Sequence, residues 1–195
     1  MYNKANFIHR GIDLKRQLRN YLFLIIIAGL IVLADQASKN WVRENLSMGE
    51  TYCVIDNICE QARFVHWYNT GVAFGMFQGN GDLFKITSSI IALAIIAFYS
   101  QIPQEEWLLR LALAFEVGGA IGNLIDRFMI GHVTDFVAVG NFAVFNIADA
   151  AINVGIAFML LSLLLDYLKE QKEKKAAIEA DDVESPTAEL EASSD

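Results

Sequence analysis

Apolar positions in this chain gather in four long blocks, not in the alternation of half-buried strands. They cover residues 21–34 (YLFLIIIAGLIVLA), 83–100, 107–125 and roughly 143–165, the last densest in VGIAFMLLSLLL. A bilayer's hydrocarbon core takes about 20 apolar residues as a helix. Lipid leaves exposed backbone groups without partners, so helices carry such crossings. Short alternating strands of the kind that build membrane barrels are not seen in the pattern. The prediction is an all-α membrane protein with four transmembrane helices. A domain over residues 1–168 would hold them, followed by a charged tail over 169–195.

The connectors refine this picture. The linker 101–106 is short, while 36–82 is long. Within the long one, residues 51–55 and 62–68 read as a β-hairpin turning at Asp56-Asn57, inside an external region of about 48–75. Residues 41–46 before it read as a surface helix lying along the membrane. Basic residues mark the cytoplasmic side. Lys15, Arg16 and Arg19 precede the first block, and Lys169, Lys172, Lys174 and Lys175 follow the last. Both termini are therefore expected in the cytoplasm, which requires an even number of crossings. Nineteen or so residues before the first block make a long leader, and no small-x-small site follows it, so a cleaved signal is not expected.

Composition sharpens the class. Of 195 residues, 54% are hydrophobic and 19% charged, against about 45–50% and 25% in a typical soluble domain. The net charge of −8 is unevenly spread: residues 1–20 carry five Lys/Arg against one Asp, and residues 169–195 four against nine acids. An acidic, apolar body excludes nucleic acid as a partner. The segment from Ala176, with DDVESPTAELEASSD, reads as a disordered, solvated tail.

Acids near a bilayer are costly and need a partner, water or a purpose. On this topology Asp35, Asp126, Asp135 and Asp149 gather at the outer ends of spans. Asp35 and Lys39 (DQASK) lie four residues apart, which pairs them on one helical face. GGAIGNLIDR contains Gly118 and Gly122, a GxxxG for close helix contact, then Asn123 and Asp126 on one face and Arg127 able to pair with a carboxylate. HVTDF carries Asp135, nine residues past Asp126. FNIADAAIN repeats the Asn-x-x-Asp spacing at Asn146 and Asp149. Each Asp alone could be a helix cap, but four acids and several amides at one face fit that reading poorly.

His9, His66 and His132 are too few and too scattered for zinc, and no nucleophile-elbow motif is present. Cys53 and Cys59 fall in the external hairpin, where a disulfide is possible. Paired aspartates remain. Two carboxylates held together share a proton, so one can act as base on water while the other polarises a carbonyl. A proton-coupled transporter would also use intramembrane acids, and a scaffold held by GxxxG packing is a third class. The first would place its acids at mid-membrane in inverted repeats, and the second leaves Asp135 and Asn69 without purpose.

Five motifs in order decide among these: DQASK (35–39), NTGVAFG (69–75), GGAIGNLIDR (118–127), HVTDF (132–136) and FNIADAAINVG (145–155). Together they resemble the lipoprotein signal peptidase family, also called signal peptidase II. The resemblance implies an aspartyl endopeptidase of the bacterial cytoplasmic membrane, free of metal and other cofactors. It would cut diacylglyceryl-modified prolipoproteins before the lipidated cysteine, near the external face. By motif it assigns catalysis to Asp135 and Asp149. Asp35, Lys39, Asn69, Gly122, Asn123, Asp126, Arg127, Asn146 and Ala148 are implied to support the site. Asp126 is the tempting error, since GNLIDR is the more conspicuous string. Globomycin-type inhibitors are implied to occupy the site, and a monomer in the bilayer is expected. Glu116, the two cysteines and the acidic tail lie outside the resemblance. Glu116, seven residues before Asn123, is expected to be buried against a polar neighbour or kept neutral.

Overall fold

The structure is a computed structural model that describes residues 14–71 and 81–192. Four helices carry the apolar blocks: α1 (Leu14–Asn45), α2 (Gly81–Phe98), α3 (Trp107–Met129) and α4 (Ile147–Ala192). Each holds a stretch long enough to cross a bilayer, with mean hydropathy between 1.5 and 2.0. The chain is a multi-pass membrane protein. Leu30, Leu33, Ile86, Ile90, Leu160 and Leu163 point outward and exposed, as lipid-facing positions do.

Two helices outrun their apolar blocks. Nothing in DQASKNWVREN breaks a helix, so α1 continues to Asn45. The surface helix expected over residues 41–46 is therefore the end of α1 and not a separate element. Val42 and Leu46 draw it on by packing against Phe136. α4 likewise continues to Ala192, through residues whose acidic composition predicts disorder. Lys, Glu and Ala are strong helix formers, and Lys174 pairs with Glu170 one turn earlier at 2.6 Å.

Packing centres on α3, which touches all three other helices. Its small residues let it do so. A Cβ on Gly118 would meet Ile31 of α1 at 2.9 Å, and one on Gly119 would meet the Ala148 carbonyl of α4 at 2.5 Å. This is close approach through small residues on both sides of one helix. Gly119→Ala should therefore cost about 1–3 kcal/mol by forcing α3 and α4 apart. Gly29→Ala, where a Cβ meets nothing within 4 Å, should be neutral or slightly stabilising. Thermal unfolding in detergent checks both. At the end opposite the acids, Arg110 donates to the carbonyls of Ile102 and Asn20 and lies 4.7 Å from the centre of the buried Tyr99 ring.

A three-stranded antiparallel sheet caps the other end, in the order β1 (Thr51–Tyr52), β2 (Ala62–Asn69), β3 (Val133–Val139). The expected hairpin forms β1 and β2, and Cys53 and Cys59 are joined by a disulfide across its turn. The third strand comes from the connector after α3, where sequence gave no strand signal. Gly131, with φ of +82°, turns the chain from α3 into β3, a conformation that costs glycine little. Phe136 on β3 then packs on Val42 and Leu46, with its ring edge-on to Phe64.

Candidate active site

The site grows from the junction of α1, α3, β3 and the start of α4. After β3 the chain doubles back, with Phe145 N–H donating to Val137 O at 3.0 Å, and enters α4 at Asn146. The Asn146 side-chain oxygen accepts from Asp149 N–H at 2.9 Å, and Asp149 accepts from Asn146 N–H at 3.2 Å. This reciprocal cap is the Asn-x-x-Asp motif at work, and it satisfies two N–H groups that a helix start leaves unpaired. The helix dipole there favours a negative carboxyl at Asp149.

Asn146 also links the two acids. Its amide N–H donates to Asp135 Oδ1 at 2.7 Å, while Asn69 at the end of β2 donates to Asp135 Oδ2 at 2.9 Å. Strand register makes the second contact possible, since Trp67 pairs with Asp135 and Asn69 with Val133. Asn123 Nδ2 donates to Asp149 Oδ1 at 2.8 Å. Its oxygen accepts from Lys39 at 3.0 Å and Asn146 at 3.1 Å. Lys39 can only donate, so it dictates which end of the Asn123 amide faces Asp149.

Lys39 is fully buried and spends its donors on Asp35 at 2.8 Å, Asp126 at 3.3 Å and Asn123. Asp35 in turn accepts from Ala148 N–H at 2.9 Å, satisfying another unpaired N–H of α4. Gly122 leaves room for this: a Cβ there would sit 2.7 Å from Asp35 Oδ2 and 3.1 Å from Ala148 Cβ. Asp126 accepts from Thr134 N–H at 2.9 Å and from Arg43 at 3.2 Å. It ties α3 to α1 and to the strand that carries Asp135, and its contacts are with these bracing groups.

Sequence read Arg127 as able to pair with a carboxylate. Among the described residues it has no carboxylate within ion-pair distance; it donates to Gly71 O at 3.2 Å, with the guanidinium 5.8 Å from the centre of the Phe84 ring. Its partner is thus a backbone carbonyl just past the end of β2 and not an acid. Residues 72–75 of NTGVAFG, and His9, lie outside the described residues. Four contributors escaped the sequence reading: Gln36, Arg43, Thr134 and Gly119. Arg43 had a readable signal, since Asp35, Lys39 and Arg43 recur every fourth residue on α1.

A cavity of about 690 Å³ opens beside this network, between α2 and α4 over α3. Asp149, Asn123, Asn69 and Arg127 form its polar end, and Phe84, Ile91, Val144 and Ile152 much of its apolar wall. Asp135 lies behind, 1% exposed. Burial, with the Asp149 charge second, pushes its carboxyl up to about 7, against the opposing hydrogen bonds from Asn69 and Asn146 and the charge of Lys39.

The signal peptidase (SPase) II family model matches residues 27–165. The chain belongs to that family. It is an aspartic peptidase of the signal peptidase II type. The lipoprotein signal peptidase of Halalkalibacterium halodurans is 36% identical over 77% of this chain and 97% of its own length. That of Moorella thermoacetica is 38% identical over 72% and 92%, and that of Bacillus subtilis 34% identical over 76% and 97%. A solved structure described as a bacterial membrane enzyme superposes with a TM-score of 0.69 at 30% identity, covering 74% of this chain and 89% of that one. The family's work is removal of signal peptides from prolipoproteins, and the matched span contains every residue of the hydrogen-bonded network above.

Proposed function

We propose that this chain cuts diacylglyceryl-modified prolipoproteins before the lipidated cysteine, with Asp135 and Asp149 as the catalytic pair. The observation that carries the reading is the pairing itself. Asp135 and Asp149 are hydrogen-bonded to the same Asn146, through its side chain and its backbone, with Asp149 lining the polar end of an apolar cavity and Asp135 directly behind it. One carboxylate takes a proton from water as that water attacks the scissile carbonyl. The other, protonated, donates a hydrogen bond to the developing oxyanion. The C–N bond then breaks as a proton held by the pair passes to the leaving amine. Membrane anchoring of the lipid supplies much of the positioning that a soluble protease obtains from a cleft. Asp35, Lys39, Gly122, Asn123, Asp126, Arg127 and Ala148 support the pair, and Asn69 and Asn146 orient Asp135. A globomycin-type inhibitor would fill the same cavity. Both termini face the cytoplasm in this reading, and the sheet and dyad face outward.

The test is purified protein in detergent with a diacylglyceryl-prolipoprotein, read by mass spectrometry of both products. Cleavage before the modified cysteine is expected, and an intact substrate under conditions where a relative cuts it overturns the reading. The pH profile gives a second check. An acid that must hold its proton is lost as pH rises through its pKa, and Asp135 stands at about 7. The value of kcat/KM should therefore fall on the alkaline side with a midpoint near 7, because that parameter reports the free enzyme. A flat profile through neutral pH would show that cleavage does not depend on a proton lost from Asp135 near 7.

A further inference from the structure

Glu116 is a cavity-lining carboxyl that the proposed chemistry leaves unused. It lies on α3 two helical turns before Asn123, hence on the same face and about 10 Å farther along the axis at 1.5 Å per residue. Its Oε1 is buried and has no hydrogen-bond partner among the described residues. Of the two expectations, a polar neighbour or a neutral acid, the first finds no hydrogen bond to Oε1 among the described residues. Gly155 of α4 makes the space: a Cβ on it would come within 3.0 Å of Glu116 Oε1 and 2.9 Å of the Ala112 carbonyl. Around it the wall is mainly apolar, with Ile91, Ala120 and Ile152. Asn153, also in the wall, already donates to Asp149 O at 2.9 Å. An unpaired acid in an apolar wall is costly, and the cavity is where a bound molecule could supply its partner.

We propose that Glu116 is a positioning residue for the lipid of the substrate, its carboxyl hydrogen-bonding an ester carbonyl of the diacylglyceryl group. This rests on the cleavage reading above and adds a contact to it. From the cysteine Cα to the nearer ester carbonyl is about seven bonds, roughly 9 Å extended. With the scissile bond at the aspartates, the ester reaches the depth of Glu116. In its acid form the side chain donates O–H to a carbonyl oxygen. A helical signal segment satisfies its own carbonyls, whereas ester carbonyls have no donor of their own in hydrocarbon.

The test compares a diacyl (ester) substrate with its dialkyl (ether) counterpart of equal chain length, which lacks those carbonyls. Wild type is expected to show a KM about three- to tenfold lower for the ester, the range of one net hydrogen bond. Glu116→Leu should bring the ratio to about one, and Glu116→Gln, which still donates, should keep it. A merely structural role would impair both substrates alike and leave the ratio at its wild-type value. Because each variant serves as its own reference, partial loss of folded protein cancels, and Glu116→Met replaces the Leu variant should that fail to fold. Persistence of the ratio in the Leu or Met variant overturns the proposal. So does an equal rise in both KM values, which would assign the contact to the peptide. Ser88 of α2 also lines the cavity, and loss of the ratio in Ser88→Ala but not at Glu116 would move the donor to that helix, with the same consequence. Wild type cutting ester and ether equally well overturns this inference alone, and wild type cutting neither overturns the cleavage reading and takes the inference with it.

Discussion

Asp135→Asn and Asp149→Asn are each expected to lower cleavage roughly a thousandfold or more while the protein stays folded. General acid–base catalysis contributes on the order of 10²–10⁴ in rate, and an amide neither takes the water's proton nor returns one to the leaving amine. Both changes keep the side-chain shape. Asn at 149 can still accept the N–H of Asn146 and complete the α4 cap while giving up the Asn123 hydrogen bond, a loss of about 1 kcal/mol that is small beside the loss of rate. Asp126→Asn is the control that gives the experiment its force. Asp126 contacts Lys39, Arg43, Gln36 and the Thr134 N–H and is a brace in this reading, so its amide variant should retain measurable cleavage. Rates from quantified product, together with thermal midpoints, separate the two effects. Full activity in either dyad variant would remove that residue from catalysis.

The sequence carried this arrangement unevenly, for physical reasons. Spans were legible because bilayer thickness imposes block lengths that no soluble fold needs. Asp35 with Lys39 and Asn146 with Asp149 were legible because their contacts are local, one helical turn apart. β3 was not, since its partner strand is more than sixty residues earlier in the chain and VTDFVAV alternates too weakly to announce a strand. The same distance hid Asn69's grip on Asp135, which depends on strand register, and only the motif resemblance brought Asn69 forward. Arg127 illustrates the opposite failure. Charge alone suggested a carboxylate partner, but backbone geometry at Gly71 supplied a carbonyl. Helix continuation past residue 41 was a matter of tertiary burial, with Phe136 drawing Val42 and Leu46 inward.

Lys39→Met is expected to be the most damaging single change to the scaffold, at roughly 3–5 kcal/mol, because it leaves buried charges without their partner. Asp35 is fully buried and Asp126 2% exposed, so neither can recover solvation without opening the helix junction. Their losses differ. Asp126 keeps Arg43 at 3.2 Å, whereas Asp35 keeps only the Ala148 N–H and a neutral Gln36 amide. Adding Asp35→Leu to Lys39→Met should therefore restore part of the stability, since removing both members of a buried pair costs less than removing one. Activity should not return with it. Without Lys39 the Asn123 amide loses one of the two donors that hold its oxygen away from Asp149, and without Asp35 the Ala148 N–H loses its acceptor at the head of α4. Thermal unfolding of the single and double variants, run beside the cleavage assay, resolves the two consequences. Recovery of stability without recovery of rate fits a lysine that both neutralises the junction and aims the amide at the proposed catalytic pair, whereas recovery of both would reduce its role to charge balance.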